Sequence, residues 1–208
     1  RQASSNPNAL KVGLLMSHFT ATGPSWRGEP YGYEHQASEE FAAVLDQMNF
    51  DVYAIIEPGT AAKSALPRIL AKTGLRDKTI ELTDLPALLN LNVIVIKKCN
   101  NAIPEMVGAL RQAVESGVGI VDIGGFGRVT PGYNAEIEDF YGVSNTGYSY
   151  YLEAIDAPVL QQHPILGDLK PGDTIGIDVP DGFTVPNGVR GGAVLLGGTD
   201  KLDNNFCT

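Results

Sequence analysis

The chain has 208 residues and a formal net charge of −9 at pH 7. This length suits one domain with a sizeable core, and an ordinary composition with 43% hydrophobic residues indicates a folded chain. The 15 basic residues are scattered and outnumbered by acidic ones, which argues against a nucleic-acid partner, because that affinity depends on clustered cations. No apolar run approaches the roughly 20 residues of a membrane-spanning helix, so no membrane span is expected.

The ends of the chain and its cysteines do not decide where in the cell the protein is located. The sequence predicts a flexible stub over residues 1–9, followed by one α/β domain over residues 10–208. The polar opening residues leave two locations open, the cytoplasm or export after removal of a signal. Two cysteines, Cys99 and Cys207, cannot form a disulfide framework. No cofactor is expected, and a homo-oligomer remains an open possibility.

The first two thirds of the chain alternate between strand and helix patterns. Strands are predicted over 10–17, 50–56, 78–82, 92–96 and 118–123, and helices over 35–48, 61–73, 84–90 and 104–116. In the first helix, Val44, Leu45 and Met48 recur at helical spacing, and Gly117 ends the last one. Alternation at these lengths indicates parallel βαβ units. The predicted fold class is α/β, a flavodoxin/Rossmann-like three-layer sandwich with a mainly parallel sheet.

The pattern changes after residue 142, where glycine and proline turns become frequent and no long helix is evident. Strands are predicted over 148–155, 174–179 and 193–196. We interpret this part as an extension of the same sheet, in part antiparallel.

Four segments, taken in order, resemble a known family. They are the first strand with its loop around His18, the strand 92–96 with the helix after it, the glycine turn at Gly124 and Gly125, and the stretch 137–143 leading to His163–Gly167. Over residues 10–200 the chain resembles the class I glutamine-amidotransferase-like superfamily, in particular its ThuA-like (trehalose utilisation) branch. The resemblance implies the same α/β fold and suggests carbohydrate as a ligand.

The catalytic residues of that superfamily are missing at the matching positions. Its enzymes place a cysteine nucleophile at a tight elbow after a strand, activated by a histidine with an acidic neighbour. Here the elbow stretch 122–127 contains neither Cys nor Ser, although His163 matches the place of the histidine. The resemblance therefore favours a non-catalytic domain and leaves the assignment as an enzyme uncertain.

The candidate ligand-binding residues follow three predicted strands, at the edge formed by their carboxyl ends, here called the carboxyl edge. Open α/β sheets bind ligands at this edge, and aromatic faces suit sugars. The glycines could present backbone N–H groups to an anion or could simply permit a sharp turn. The candidates are His18, Trp26, Arg27, Tyr33, Asn100, Gly124, Gly125, Phe126 and Arg128.

Two other functions remain open. A hydrolase or isomerase would use Cys99 or His18, with Glu29 or Glu34 as acid and base, and lysines beside Cys99 could lower its pKa. A protein-interaction module is the third hypothesis. The three histidines lack a recognised metal-ligand spacing, so no metal site is predicted. Asp122 is expected to hold backbone donors and not to act in catalysis.

Overall fold

The computed structural model describes residues 8–16, 42–60, 66–96, 104–122 and 155–177, with the short stretches 139–140, 143–144, 147–150, 182–185, 188–189, 197–199 and 205–207. The chain divides into two compact units, Arg1–Tyr133 and Asn134–Thr208. The single-domain boundary of the sequence analysis stays a prediction.

Five parallel strands form the sheet of the first unit. They are β1 (Lys11–Leu15), β2 (Asp51–Ile56), β3 (Thr79–Glu81), β4 (Val93–Ile96) and β5 (Gly119–Asp122). Their order across the sheet is β3-β2-β1-β4-β5, and every pair is parallel. The predicted α/β class with a parallel sheet is confirmed.

Helices connect these strands where the sequence predicted them. The described part of α1 covers residues 42–47, and α2 (Leu66–Thr73), α3 (Leu85–Leu89) and α4 (Pro104–Glu115) follow. Asp84 is the N-cap of helix α3, and its side chain accepts a hydrogen bond from the Ala87 backbone N–H at 3.1 Å. Proline in the first turn suits both α3 and α4. It has no backbone N–H, and the N–H groups of a first turn have no acceptor within the helix.

The core covers both faces of β1. On one face, strand residues pack against α1 and α2 in a cluster of Val12, Leu14, Met16, Ala42, Leu45, Val52, Ala54, Ile56, Leu66, Ile69, Leu70, Leu75 and Val95. On the other face, the residue Leu91 after α3 lies against Gly13. Burial on both faces explains why β1 and β4 read as continuous apolar runs.

Helices α2 and α4 end in the same way. Gly74 and Gly117 follow them with φ of 74° and 98°, a left-handed conformation that glycine adopts without strain. The next residues, Leu75 and Val118, donate backbone hydrogen bonds of 3.0 Å to carbonyls in the last helical turn. These are Schellman caps, with an apolar residue that enters the core. The prediction that Gly117 ends its helix is confirmed.

Helix α1 buries a narrower face than the sequence suggested. Leu45 is buried together with Ala42, but Val44 is 47% exposed and Met48 57% exposed. The core contact follows the i, i+3 pair of Ala42 and Leu45, so Val44 lies off the buried stripe and Met48 lies beyond the last helical residue.

The described strands of the second unit form antiparallel pairs. These pair β6 (Val143–Ser144) with β11 (Gly188–Val189), β7 (Gly147–Tyr150) with β10 (Gly182–Val185), β8 (Ile155–Pro158) with β9 (Thr174–Ile177), and β12 (Gly197–Thr199) with β13 (Asn205–Cys207). Among the described residues, none of these strands pairs with the five-stranded sheet. The expected extension of that sheet is therefore not seen there. Residues 193–196 lie outside the described part.

We expect Gly13→Ala to destabilise the first unit by about 1–3 kcal/mol, the usual cost of overpacking. An added Cβ would lie 2.5 Å from Ile55 Cδ1 and 2.6 Å from Leu91 Cδ1, and both side chains are buried. Urea unfolding followed by far-UV circular dichroism measures the change.

The matched control is Gly108→Ala in α4, where nothing lies within 4 Å of the added carbon. It should stabilise the helix by about 0.5–1 kcal/mol, because alanine is the better helix former. Equal stability of the Gly13→Ala variant and the wild type would contradict the packing around β1.

Candidate functional site

The order of the sheet reverses between β1 and β4. From β1 the chain adds β2 and then β3 on one side, and it then crosses to add β4 and β5 on the other. Connections that follow β1 and β4 therefore diverge at the carboxyl edge. Open α/β sheets bind ligands in the crevice at such a point, called here the β1/β4 switch.

The base of this switch is apolar and tightly held. Leu15, Met16 and Ile96 are all buried, and the Met16 backbone N–H donates to the Ile55 carbonyl at 2.8 Å. Ile96 lies in register with Asp122, the last residue of β5. The ends of three adjacent strands thus form a rigid platform from which the following segments start.

The predicted site residues follow this platform in sequence but lie outside the described part of the chain. They are His18, Trp26, Arg27, Glu29, Tyr33 and Glu34 after β1, Cys99 and Asn100 after β4, and Gly124, Gly125, Phe126 and Arg128 after β5. The topology brings the starting points of their three segments to neighbouring strand ends. Their roles stay predictions.

The half of the carboxyl edge at β2 and β3 is closed by its own hydrogen bonds. Glu81 Oε1 accepts from the Gly59 backbone N–H at 3.0 Å. The Thr60 backbone N–H and hydroxyl both donate to the Glu57 carbonyl. The donors of this turn are therefore used within the protein, which leaves the β1/β4 switch as the candidate site among the described strand ends.

Glu57 is a polar residue that the sequence analysis missed. It follows β2 directly and is only 2% exposed. A carboxylate buried to this extent requires compensating donors or charges, and Glu57 does interact within the protein. Its position immediately after a buried strand was the available signal, but no motif marks it.

His163 has a structural role in the second unit. It is exposed and precedes a 3₁₀ turn, Pro164–Leu166, where its Nδ1 accepts from the Ile165 backbone N–H at 3.2 Å. Its carbonyl accepts from the Leu166 N–H at 2.9 Å. His163 therefore acts as the N-cap of this turn. Cys207 belongs to β13.

A polar cluster lies at the opposite edge of the sheet, where β2 begins. Lys78 Nζ is 2.6 Å from Asp51 Oδ1, and the Tyr53 hydroxyl donates to Asp51 Oδ2 at 2.9 Å. Lys78 also lies over the Tyr53 ring, 5.5 Å from its centroid. These contacts tie β2 to the segment that enters β3, so the cluster stabilises the sheet and stands away from the switch.

The electrostatics of this cluster are consistent with that role. Burial alone would raise the pKa of Asp51, but hydrogen bonds from Lys78 and Tyr53 lower it. The charges of Lys78 and Lys11 lower it further, and the net shift of the Asp51 pKa is downward. Burial, followed by the bond to Asp51 and its charge, raises the pKa of Tyr53.

Within the described ranges, no group of three or more His, Cys, Asp or Glu residues could hold a metal ion. No helix in the same ranges is long and apolar enough to span a membrane.

The strand order and its switch define the class of the first unit, an α/β protein with a five-stranded parallel sheet of the flavodoxin- or Rossmann-like type. Comparisons of the chain with family models, with curated proteins and with solved structures found no match. The resemblance to the amidotransferase-like superfamily therefore stays a prediction.

We expect Lys78→Met to lower the free energy of unfolding at pH 7 by up to about 1 kcal/mol, because the ion pair is partly exposed. Because the pKa of Asp51 is lower in the folded chain, ionised Asp51 stabilises the fold at pH values above the ordinary aspartate pKa. This contribution is lost as the pH falls through the pKa that Asp51 has in the folded chain. The difference between variant and wild type should therefore shrink below about pH 4. Urea unfolding over a pH series measures it.

Arg76→Met removes the same charge from an exposed position close in sequence and serves as the control. Its stability should stay within about 0.5 kcal/mol of the wild type. A pH-independent loss in Lys78→Met would show that its stem packing matters and the ion pair does not.

Proposed function

We propose that the chain is a non-catalytic, amidotransferase-like protein that binds a small polar ligand at the carboxyl edge, with carbohydrate as the ligand class. The observation that carries the proposal is the β1/β4 switch. Three segments that contain the candidate residues start from β1, β4 and β5, and these are adjacent strands that end at this edge.

The chemistry of the candidate residues fits such a ligand. Trp26 and Tyr33 offer aromatic faces for the apolar side of a sugar ring, and Arg27 and Asn100 offer hydrogen-bond donors for its hydroxyl groups. The strand ends from which their segments start are buried and apolar, which favours a binding site built on a firm base. The absence of Cys and Ser from residues 122–127 supports binding without the superfamily's nucleophilic chemistry.

Trp26 is the single tryptophan of the chain, so its fluorescence reports on the proposed site directly. We expect D-glucose or trehalose to change its emission saturably. Arg27→Gln should weaken the binding about tenfold, the equivalent of about 1.4 kcal/mol, because one charged donor is lost. Fluorescence titration measures both the affinity and the loss.

Arg76→Gln is the matched control, because it removes an exposed arginine far in sequence from every candidate residue. It should leave the affinity unchanged. No saturable response to glucose, trehalose or myo-inositol, or an equal loss in both variants, would contradict the proposal.

One observation favours a hydrolase or isomerase as the second candidate. Cys99 lies three residues after Ile96, where β4 ends beside the switch. An activated thiolate in that position would serve as a nucleophile, with Glu29 or Glu34 as its acid or base.

The rate of alkylation separates the two candidates. In a Cys207→Ser background, iodoacetamide at pH 7 should react with Cys99 more slowly in the folded chain than in urea, as a non-catalytic thiol does. Mass spectrometry follows the reaction. Alkylation at least about tenfold faster in the folded chain would favour the enzyme, because it requires a lowered thiol pKa.

A further inference from the structure

The outer side of β5 is an open strand edge among the described residues. β5 is the last strand on its side of the sheet, and no described strand pairs with its outer side. The Gly119 backbone N–H donates to the Asn92 carbonyl at 3.1 Å, so Gly119 and Val121 direct their backbone groups toward β4. Because this direction alternates along a strand, the N–H and C=O of Ile120 point outward. Backbone groups on an edge of this kind can pair with another strand.

The opposite edge of the sheet is protected against such pairing. Strand β3 there has only three residues and ends at the exposed Glu81. Short edge strands and charged side chains are the usual devices that prevent sheets from joining. β5 carries no charge before Asp122, Gly119 is exposed, and Val121 is 45% exposed. Of the two edges, β5 is therefore the one that can accept another strand.

Two copies of β5 complement each other when they pair antiparallel about a two-fold axis at Ile120. Val121 then lies opposite Gly119 of the second copy, where the missing side chain leaves room for it. Asp122 lies opposite Val118 of the second copy, so the two Asp122 residues are about 14 Å apart. A parallel pairing would instead place these like charges side by side, which is unfavourable. The charge pattern therefore favours the antiparallel arrangement.

The same axis brings the two copies of α4 together. The core cluster that contains Val95 includes residues of α1 and α2 but none of α4, so α4 covers the other face of the sheet. Because α4 connects β4 to β5, its axis lies over this pair of strands. Two strand spacings of about 4.8 Å then separate α4 from its copy, close to the 8–10 Å at which helices pack. Val114, near the end of α4, is 41% exposed and adds apolar surface there.

We propose that two copies of the chain associate edge to edge, through antiparallel pairing of β5 about Ile120, into one continuous sheet. The inference does not depend on the proposed ligand site. One short strand and one helix flank bury less than the roughly 1,200 Å² of a stable interface, so the dimer is weak and depends on concentration. The net charge of −9 on each chain opposes association, and salt should therefore strengthen it.

Sedimentation velocity from about 10 μM to about 1 mM chain, the range of weak complexes, tests the association at about 0.5 M NaCl. The mass of the wild type should rise from the 22.1 kDa of one chain toward twice that value. Val121→Lys should remain monomeric, because a lysine on an edge strand prevents pairing.

Met48→Lys is the matched control for this experiment. It adds the same charge at an apolar position that is 57% exposed but lies next to α1 and not on β5. This variant should associate like the wild type. A wild type that stays monomeric over the whole range would overturn the inference. Equal association of Val121→Lys and the wild type, or equal loss in both variants, would also overturn it.

Cysteine cross-linking tests the register in a Cys99→Ser/Cys207→Ser background. In an Ile120→Cys variant the two new thiols face each other across the axis, with Cα atoms about 5.5 Å apart, which suits a disulfide. Mild oxidation should give a covalent dimer on a non-reducing gel. In Val121→Cys the Cα atoms are about 8 Å apart, beyond the reach of a disulfide, so little dimer should form. Equal cross-linking of the two variants, or cross-linking of Val121→Cys alone, would overturn pairing about Ile120.

Discussion

The pairing of β1 on both sides is the constraint on which the first unit depends. Its residues lie in register with Asp51–Ile55 of β2 and with Val93–Val95 of β4, and both of its faces are covered. Gly13 leaves the space in which Ile55 and Leu91 meet over the strand. The chain adds β2 and β3 on one side of β1 and then β4 and β5 on the other side. The site proposed for this chain lies where this direction reverses, between β1 and β4.

The two edges of the sheet differ in how they are built. At the amino edge, helices end in Schellman caps and the Asp51–Lys78–Tyr53 cluster ties two segments together. At the carboxyl edge, the turn after β2 satisfies its own donors, and the predicted ligand-binding residues follow β1, β4 and β5 in sequence. Functional residues that follow the strands of a packed sheet are typical of a scaffold that carries its function on its connecting segments.

The fold was predictable from the sequence because its signals are local. Continuous apolar runs marked β1 and β4 as buried on both faces, and Gly117 marked the end of α4. The strand order was not predictable, because it depends on pairings between distant segments. The exposure of Val44 and Met48 was missed because apolar spacing alone does not show where α1 ends or which of its faces packs against the sheet.

The candidate site was predictable in location but not in geometry. The rule that ligands bind at the carboxyl ends of parallel strands points to residues after β1, β4 and β5. Sequence segments without periodicity, however, give no pattern from which contacts could be predicted. Glu57 was missed because a single acidic residue after a strand forms no motif. Its burial depends on the packing at the end of β2, which the sequence alone does not show.

The most direct test of the β1/β4 switch as the ligand site is backbone amide NMR during a titration with trehalose. The account predicts that, among the described residues, shift changes concentrate at the carboxyl ends of three strands, at Met16, Ile96 and Asp122. The amino ends at Lys11, Asn92 and Gly119 should remain unperturbed. Changes confined to the amino ends, or to the hairpin 155–177 of the second unit, would contradict it.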